Sequence, residues 1–430
     1  MTHTPFIKEK LISANAEPGD TITLTFSDNT FTGVLMPHHQ FSDPEIIIIK
    51  LDNGYNIGLH ITKETTIKLV KKQKRHEKKK RTIPFDKTKP TISIIGTGGT
   101  IACYVDYRTG AVHPATSSED LAFSVPEIFD ICDVKTEVAY QLLSENIEPK
   151  HWQTLAEKIA DALNNGSAGV VIPHGTDTMG YTAAALSFML QDLTGPVVLV
   201  GAQRSSDRPS SDAAQNLLAA VTLAAKGSIG EVVVVMHAES SDTKTAIHRG
   251  TCVRKCHTSR RDAFISVNTP ALGYIHDGKI SLNQPYRKPS EGPVTIDTSL
   301  ETDVAILYIY PGIKPEDIPE KKGLVLMGTG LGHVSSKLLP RITELIAKGT
   351  VIVMSSQCIF GRVNLNVYSM GRDLLKAGVI PTETMLPETA YIKLMWALAH
   401  GKTKERIEIL MQTDLAFETS KKTNYTTFIK

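Results

Sequence analysis

The sequence predicts an α/β protein: a two-domain fold with parallel sheets, preceded by a small all-β barrel domain. Three observations carry this. Short alternating strands with tight turns fill the first 70 residues. From Thr91 onward, apolar β-like runs alternate with stretches of helical period. Between about residues 284 and 302, a proline-rich polar break separates two such alternating blocks. Strands alternating with helices are the pattern of parallel sheets with crossover helices.

The elements follow in order. Thr21-Ile22-Thr23-Leu24-Thr25-Phe26 alternates polar and apolar residues, as a half-buried strand does. Asp28-Asn29 marks a turn before a second strand at 30–36, residues 46–50 are a β-branched run, and Asp52-Asn53-Gly54 is a hairpin signal before 55–61. Four or five such strands suggest the small barrel, residues 1–70. Residues 71–90 form a basic linker, which opens on KKQKRHEKKKR with a single acid, Glu77. Like-charge blocks of this kind are usually solvated linkers. The same lysines and arginines could instead contact RNA phosphates, although no aromatic residues interleave to stack bases.

In the large domain, 91–290, strands are expected at 91–96, 168–173, 196–201 and 231–237, and helices at 151–163, 179–190 and 212–225. The helix at 151–163 carries Trp152, Leu155, Ile159 and Leu163 at helical spacing. The smaller C-terminal domain, 303–430, repeats the pattern with strands at 304–310, 323–328 and 350–356 and helices at 334–347 and 388–400.

Composition narrows the function classes. The chain has 430 residues, 41% hydrophobic and 21% charged, as expected of globular domains with substantial cores. A net charge of +2 supplies no global field for nucleic acid. Five scattered cysteines, Cys103, Cys132, Cys252, Cys256 and Cys358, fit a reducing compartment better than a disulfide framework. With no signal-like N-terminus and no apolar run near the ~20 residues of a membrane span, a cytoplasmic location without membrane attachment is expected.

Two bends carry the chemistry. Ile95-Gly96-Thr97-Gly98-Gly99-Thr100-Ile101-Ala102 and Pro173-His174-Gly175-Thr176-Asp177-Thr178-Met179 each follow an apolar strand-like run. Ligands of open α/β sheets bind at the carboxyl ends of strands, where both bends fall. The first matches neither GxxxxGK[ST] nor GxGxxG, so a phosphate loop is disfavoured. A turn presenting Thr100 as a nucleophile beside backbone N–H donors is the alternative, and simple helix capping by its threonines is the structural one. A threonine hydroxyl needs a base. Lys255, in Cys252-Val253-Arg254-Lys255-Cys256-His257, is the candidate, with Asp177 to orient it. An ordinary surface lysine is the reading that the local sequence alone favours. His174 is expected to be structural. Cys252 with Cys256 and His257 falls short of the four ligands of a structural zinc site, so no metal is expected. Gly328-Thr329-Gly330-Leu331-Gly332-His333 looks like a nucleotide loop only superficially; a substrate-side turn or dimer contact is expected there.

From about Thr91 to the C-terminus the chain resembles the bacterial-type L-asparaginases. Thr97-Gly98-Gly99-Thr100-Ile101-Ala102, His174-Gly175-Thr176-Asp177-Thr178 and the late Pro387-Glu388-Thr389-Ala390-Tyr391-Ile392-Lys393-Leu394 segment carry the resemblance. It implies hydrolysis of a side-chain amide through a threonine-linked acyl-enzyme. Thr100, Thr176, Asp177 and Lys255 match the family's catalytic positions. Ser144, in Leu143-Ser144-Glu145-Asn146, resembles the serine that contacts the substrate's α-carboxylate; Glu145 stands where many relatives have another polar residue, and is expected to meet the ammonium. The family places a tyrosine shortly after its first motif. Tyr104 and Tyr107 are available here, neither at the family spacing, so either threonine can be first to attack.

Plain asparaginases lack the N-terminal domain and the basic connector. With these, and with Gly201-Ala202-Gln203-Arg204-Ser205-Ser206-Asp207 and Gln357-Cys358-Ile359-Phe360-Gly361-Arg362-Val363-Asn364, the chain resembles the D-subunits of archaeal glutamyl-tRNA(Gln) amidotransferases. That resemblance implies an amidohydrolase that releases ammonia from glutamine or asparagine. It implies a partner, the E-subunit of the amidotransferase, that uses ATP and Mg²⁺ to amidate Glu-tRNA(Gln), and a homodimer of this chain within a heterotetramer. No cofactor is expected in this chain, which has no P-loop of its own. A free-standing cytoplasmic L-asparaginase and a binding protein that has lost catalysis are the rival expectations.

Overall fold

The computed structural model describes residues 3–38, 43–52, 55–72, 83–98, 103–105, 112–114, 118–204 and 210–422. The N-terminal domain opens with a helix, Pro5–Ser13, that the strand-based expectation for this region lacks. Its signals are local: Thr4 caps Ile7 N–H at 3.4 Å and Pro5 occupies the first turn. Five antiparallel strands follow, Thr21–Thr25, Thr30–Leu35, Ile46–Lys50, Asn56–His60 and Thr66–Lys71. The first pairs with both the second and the fifth, so the fourth and fifth strands form the edges of a partly open sheet. Ile22, Leu24, Leu35, Ile47 and Ile49 alternate with less buried neighbours and pack with Ile7 and Ile61. Most of the basic run, residues 73–82, lies outside the described residues.

The large domain is built on an eight-stranded sheet. Five neighbouring parallel strands lie in the order Asp133–Val138, Thr91–Gly96, Val170–Pro173, Val197–Val200, Val232–His237. Three antiparallel strands, Lys244–Arg249, Gly273–His276 and Lys279–Leu282, extend it at one side. Four of the parallel strands sit where the apolar runs place them. The fifth, Asp133–Val138, and the antiparallel extension do not announce themselves in the sequence. The extension carries polar residues that become buried, and Arg249 is tolerated there because its Nε donates to Glu231 Oε2 at 2.7 Å.

The period of two along each strand separates two layers. Val170 and Ile172 face the helices Pro149–Asn164 and Met179–Met189, whereas Val171, Val198 and Val200 face Ala213–Lys226. A four-stranded parallel sheet, Val304–Tyr308, Gly323–Gly328, Val351–Ser356 and Ile380–Pro381, forms the C-terminal domain. Its expected helix at 334–347 begins later, as Leu339–Ala347 after a 3₁₀ turn, with Pro340 in the first turn. The helix Pro387–His400 packs into the same core as Met179–Met189 and so joins the two domains. It is buried almost all round, as a helix enclosed between two sheets must be.

Candidate active site

Because Val170 and Val171 pair in parallel with Ser93 and Ile94, the two bends emerge side by side at the carboxyl ends of their strands. Thr97 stitches them together. Its buried Oγ1 donates to the Pro173 carbonyl at 2.8 Å, and its own carbonyl accepts from Leu142 N–H at 3.1 Å. Gly98 has φ +99°, and a Cβ there would come within 2.4 Å of the Leu142 carbonyl oxygen, so glycine is required on both counts. Thr97 is thus a structural clamp. Thr100, with Gly99, Ile101 and Ala102, lies outside the described residues, as does Tyr107; of Tyr104 only the backbone strand Cys103–Val105 is described.

The second bend assembles the remaining candidates. Thr176 is buried, and its Oγ1 accepts from Lys255 Nζ at 2.9 Å. The same ammonium donates to Asp177 Oδ1 at 2.8 Å. Lys255 comes from the short hairpin strand Val253–Lys255, paired with Phe264–Ser266. Its side chain is only 16% exposed, against 67% for Asp177, so the pair spans the boundary between protein and solvent. Thr176, Asp177 and Lys255 therefore form one contiguous hydrogen-bonded group, and the surface-lysine alternative for Lys255 does not hold.

The neighbouring strand, Asp133–Val138, leads to the 3₁₀ turn Ser144–Asn146. Ser144 is buried against the second bend. Its carbonyl accepts from Thr178 Oγ1 at 2.7 Å, and its Oγ has no hydrogen-bond partner among the described residues. A Cβ on Gly175 would lie 2.7 Å from Ser144 Cβ, so glycine is what lets the serine approach. Glu145 is exposed on the same turn.

His174 is structural, as expected. Its Nδ1–H donates to the Gly175 carbonyl at 2.6 Å, and its Nε2 accepts from Thr182 Oγ1 at 2.9 Å, which in turn accepts from Trp152 Nε1 at 3.1 Å. Burial pushes its pKa down to about 4, so it packs as a neutral ring. Cys252 likewise faces inward, donating to the Phe417 carbonyl at 3.2 Å, and burial raises its pKa to about 11. Gly328–His333 forms a turn closed by an antiparallel bridge from Thr329 to His333, with Gly330 and Gly332 at positive φ, unlike a phosphate loop opening a helix.

Comparison with known proteins fits this architecture. Residues 91–288 match the family described as "Asparaginase, N-terminal", 303–411 the "Glutaminase/Asparaginase C-terminal domain" and 16–70 the "GatD N-terminal domain". The chain is 51% identical to the D-subunit of the Pyrococcus furiosus glutamyl-tRNA(Gln) amidotransferase, over 99% of each chain. The chain belongs to the family of glutamyl-tRNA(Gln) amidotransferase D-subunits. Another member, from Thermococcus kodakarensis, is 50% identical over 93% of each chain. Among solved structures, the thermostable L-asparaginase from Thermococcus kodakarensis is similar with a TM-score of 0.70 and 32% identity, covering 77% of this chain and 99% of that one. A probable cytoplasmic L-asparaginase from Campylobacter jejuni gives a TM-score of 0.64 at 33% identity, over 75% of this chain and 99% of that one.

Two contacts at the family site escape sequence reasoning. Arg254, beside Lys255, pairs with Glu388 at 3.4 Å, and Thr389 Oγ1 donates to the Thr251 carbonyl at 2.7 Å. The late Pro387 segment thus braces the strand that carries the lysine. No local signal couples residues so far apart in the chain.

Proposed function

We propose that this chain is the glutaminase-type amidohydrolase component of a glutamyl-tRNA(Gln) amidotransferase, releasing ammonia from glutamine or asparagine for conversion of Glu-tRNA(Gln) to Gln-tRNA(Gln). The observation that carries this is the Thr176–Lys255–Asp177 group at the strand ends of an asparaginase fold, in a chain that also carries the N-terminal domain of the D-subunits.

In the proposed reaction the substrate's α-carboxylate meets the free Ser144 hydroxyl, and its ammonium meets Asp177 and Glu145. Thr176 or Thr100 adds to the side-chain amide carbon. Lys255 takes the hydroxyl proton from Thr176, and Asp177 holds the ammonium that results. Backbone N–H groups of the glycine-rich bends receive the oxyanion. The proton then passes to the departing nitrogen, ammonia leaves, and water hydrolyses the threonine ester to release glutamate or aspartate.

Gly175→Ala is expected to raise KM by about tenfold with a smaller change in kcat. The new methyl group displaces Ser144, and a hydrogen bond to a charged group is worth roughly 1.5–3 kcal/mol. Steady-state kinetics on glutamine and asparagine check this.

The amidation itself is assigned to a partner, the E-subunit, which uses ATP and Mg²⁺; this chain needs no cofactor. A homodimer of this chain within a heterotetramer is proposed, in the cytoplasm. Among the described residues no helix is long and apolar enough to cross a membrane. A coupled amidohydrolase should be quiet until its partner docks. Ammonia release is therefore expected to rise by about tenfold or more when the E-subunit and Glu-tRNA(Gln) are added, a coupling typical of linked sites. Full activity of the isolated chain, unchanged by partner and tRNA, would favour the free-standing asparaginase that its structural neighbours suggest.

A further inference from the structure

Beyond the last helix, Lys404–Gln412, the chain returns to the strand that carries Lys255. Thr251 Oγ1 donates to the Ala416 carbonyl at 2.9 Å, and Cys252 Sγ donates to the Phe417 carbonyl at 3.2 Å. These are the two residues immediately before the Val253–Lys255 strand. Phe417 adopts a left-handed conformation, φ +57°, uncommon for a large side chain. Its ring lies under the Arg249 guanidinium at 4.0 Å, and two cavities of about 440 and 560 Å³ share Arg249 and Phe417 as a common wall.

A buried ion pair holds the segment in that shape. Glu418 accepts from Lys393 Nζ, from Leu415 N–H at 3.0 Å and from Ala416 N–H at 2.6 Å. Both side chains are fully buried. Lys393 directs its other donors to the carbonyls of Met411, at 3.1 Å, and Thr413, at 2.5 Å. Lys393 sits on the Pro387–His400 helix, whose Thr389 grips the Thr251 carbonyl and whose Glu388 pairs with Arg254. The helix and the returning segment thus hold Thr251 from both its carbonyl and its hydroxyl, four residues before Lys255. A buried charge pair is seldom the most stable filling for a core, so its placement invites a positional role.

We propose that Glu418, acting through Lys393 and the Ala416–Phe417 backbone, is a positioning residue that sets the approach of Lys255 to Thr176. This rests on Lys255 being the proton acceptor. Thr251→Val removes the hydroxyl grip on Ala416 and leaves the buried pair intact, and Glu418→Gln weakens the pair itself. Each is expected to lower kcat for ammonia release by about tenfold or more with KM within about twofold, since small misplacements of a catalytic group are costly. Thr251→Ser, which restores the donor, should recover most of the rate. The full-length chain is assayed with its amidotransferase partner, in the wild-type and Lys255→Met backgrounds. In the Lys255→Met background neither variant should reduce the residual rate further. Wild-type kcat in folded Thr251→Val, or the same fractional loss in both backgrounds, would overturn the inference even if Glu418→Gln fails to fold. Activity retained by Lys255→Met alone would instead remove the base assignment on which it rests.

Discussion

Thr176→Val is expected to abolish ammonia release, by about 10³-fold or more, while leaving the fold intact. Loss of a nucleophile leaves only the rate that oxyanion donors and substrate binding supply. Valine keeps the shape of threonine, and its methyl groups occupy the same buried space beside Gly201. What disappears is Oγ1, the acceptor of the 2.9 Å bond from Lys255. The ammonium keeps its 2.8 Å partner in Asp177, so the substitution strands no buried charge. The stability change should therefore stay near the ~1 kcal/mol of one hydrogen bond. Ammonia release measured beside thermal unfolding separates the two effects. Retention of most activity by the folded variant would take Thr176 out of the mechanism and leave Thr100 as the nucleophile.

How far the sequence reveals this site depends on the range of the forces that build it. The central parallel strands are legible because each is buried on both faces and reads as an unbroken apolar run, as Val170 to Pro173 and Val197 to Val200 do. The bends are legible because glycine is obligatory where Gly98 and Gly175 let backbone and Ser144 approach. The division of labour within a bend is not. Thr97 looks as available as Thr100, yet its hydroxyl is consumed by the Pro173 carbonyl, a partner 76 residues away. The lysine is harder still. A three-residue strand has too little periodicity to be recognised, and only the antiparallel turn of the sheet brings Lys255 back over the second bend. The strand Lys244–Arg249 that starts this return hides for a related reason. Its buried His248 and Arg249 look like surface residues until Ser266 pairs with His248 Nδ1 and Glu231 with the Arg249 guanidinium.

Lys255→Met should reduce ammonia release by about 10²–10⁴-fold, the usual contribution of a positioned general base. Methionine follows the path of the lysine stem, so the Val253–Lys255 hairpin and the Arg254–Glu388 pair should persist. Two roles for the lysine remain to be told apart. It could accept the proton of Thr176, or it could serve only as a fixed positive charge beside Asp177. Lys255→Arg distinguishes them, because a guanidinium keeps the charge and can donate to Asp177 but does not give up its proton under these conditions. If Lys255 accepts the proton, the arginine variant is as impaired as the methionine variant. If charge alone matters, arginine recovers most of the rate, and the proton must leave Thr176 by another path. Single-turnover measurement of the first mole of ammonia per chain reads the acylation step directly. It therefore assigns the loss to attack by the threonine rather than to later hydrolysis of its ester.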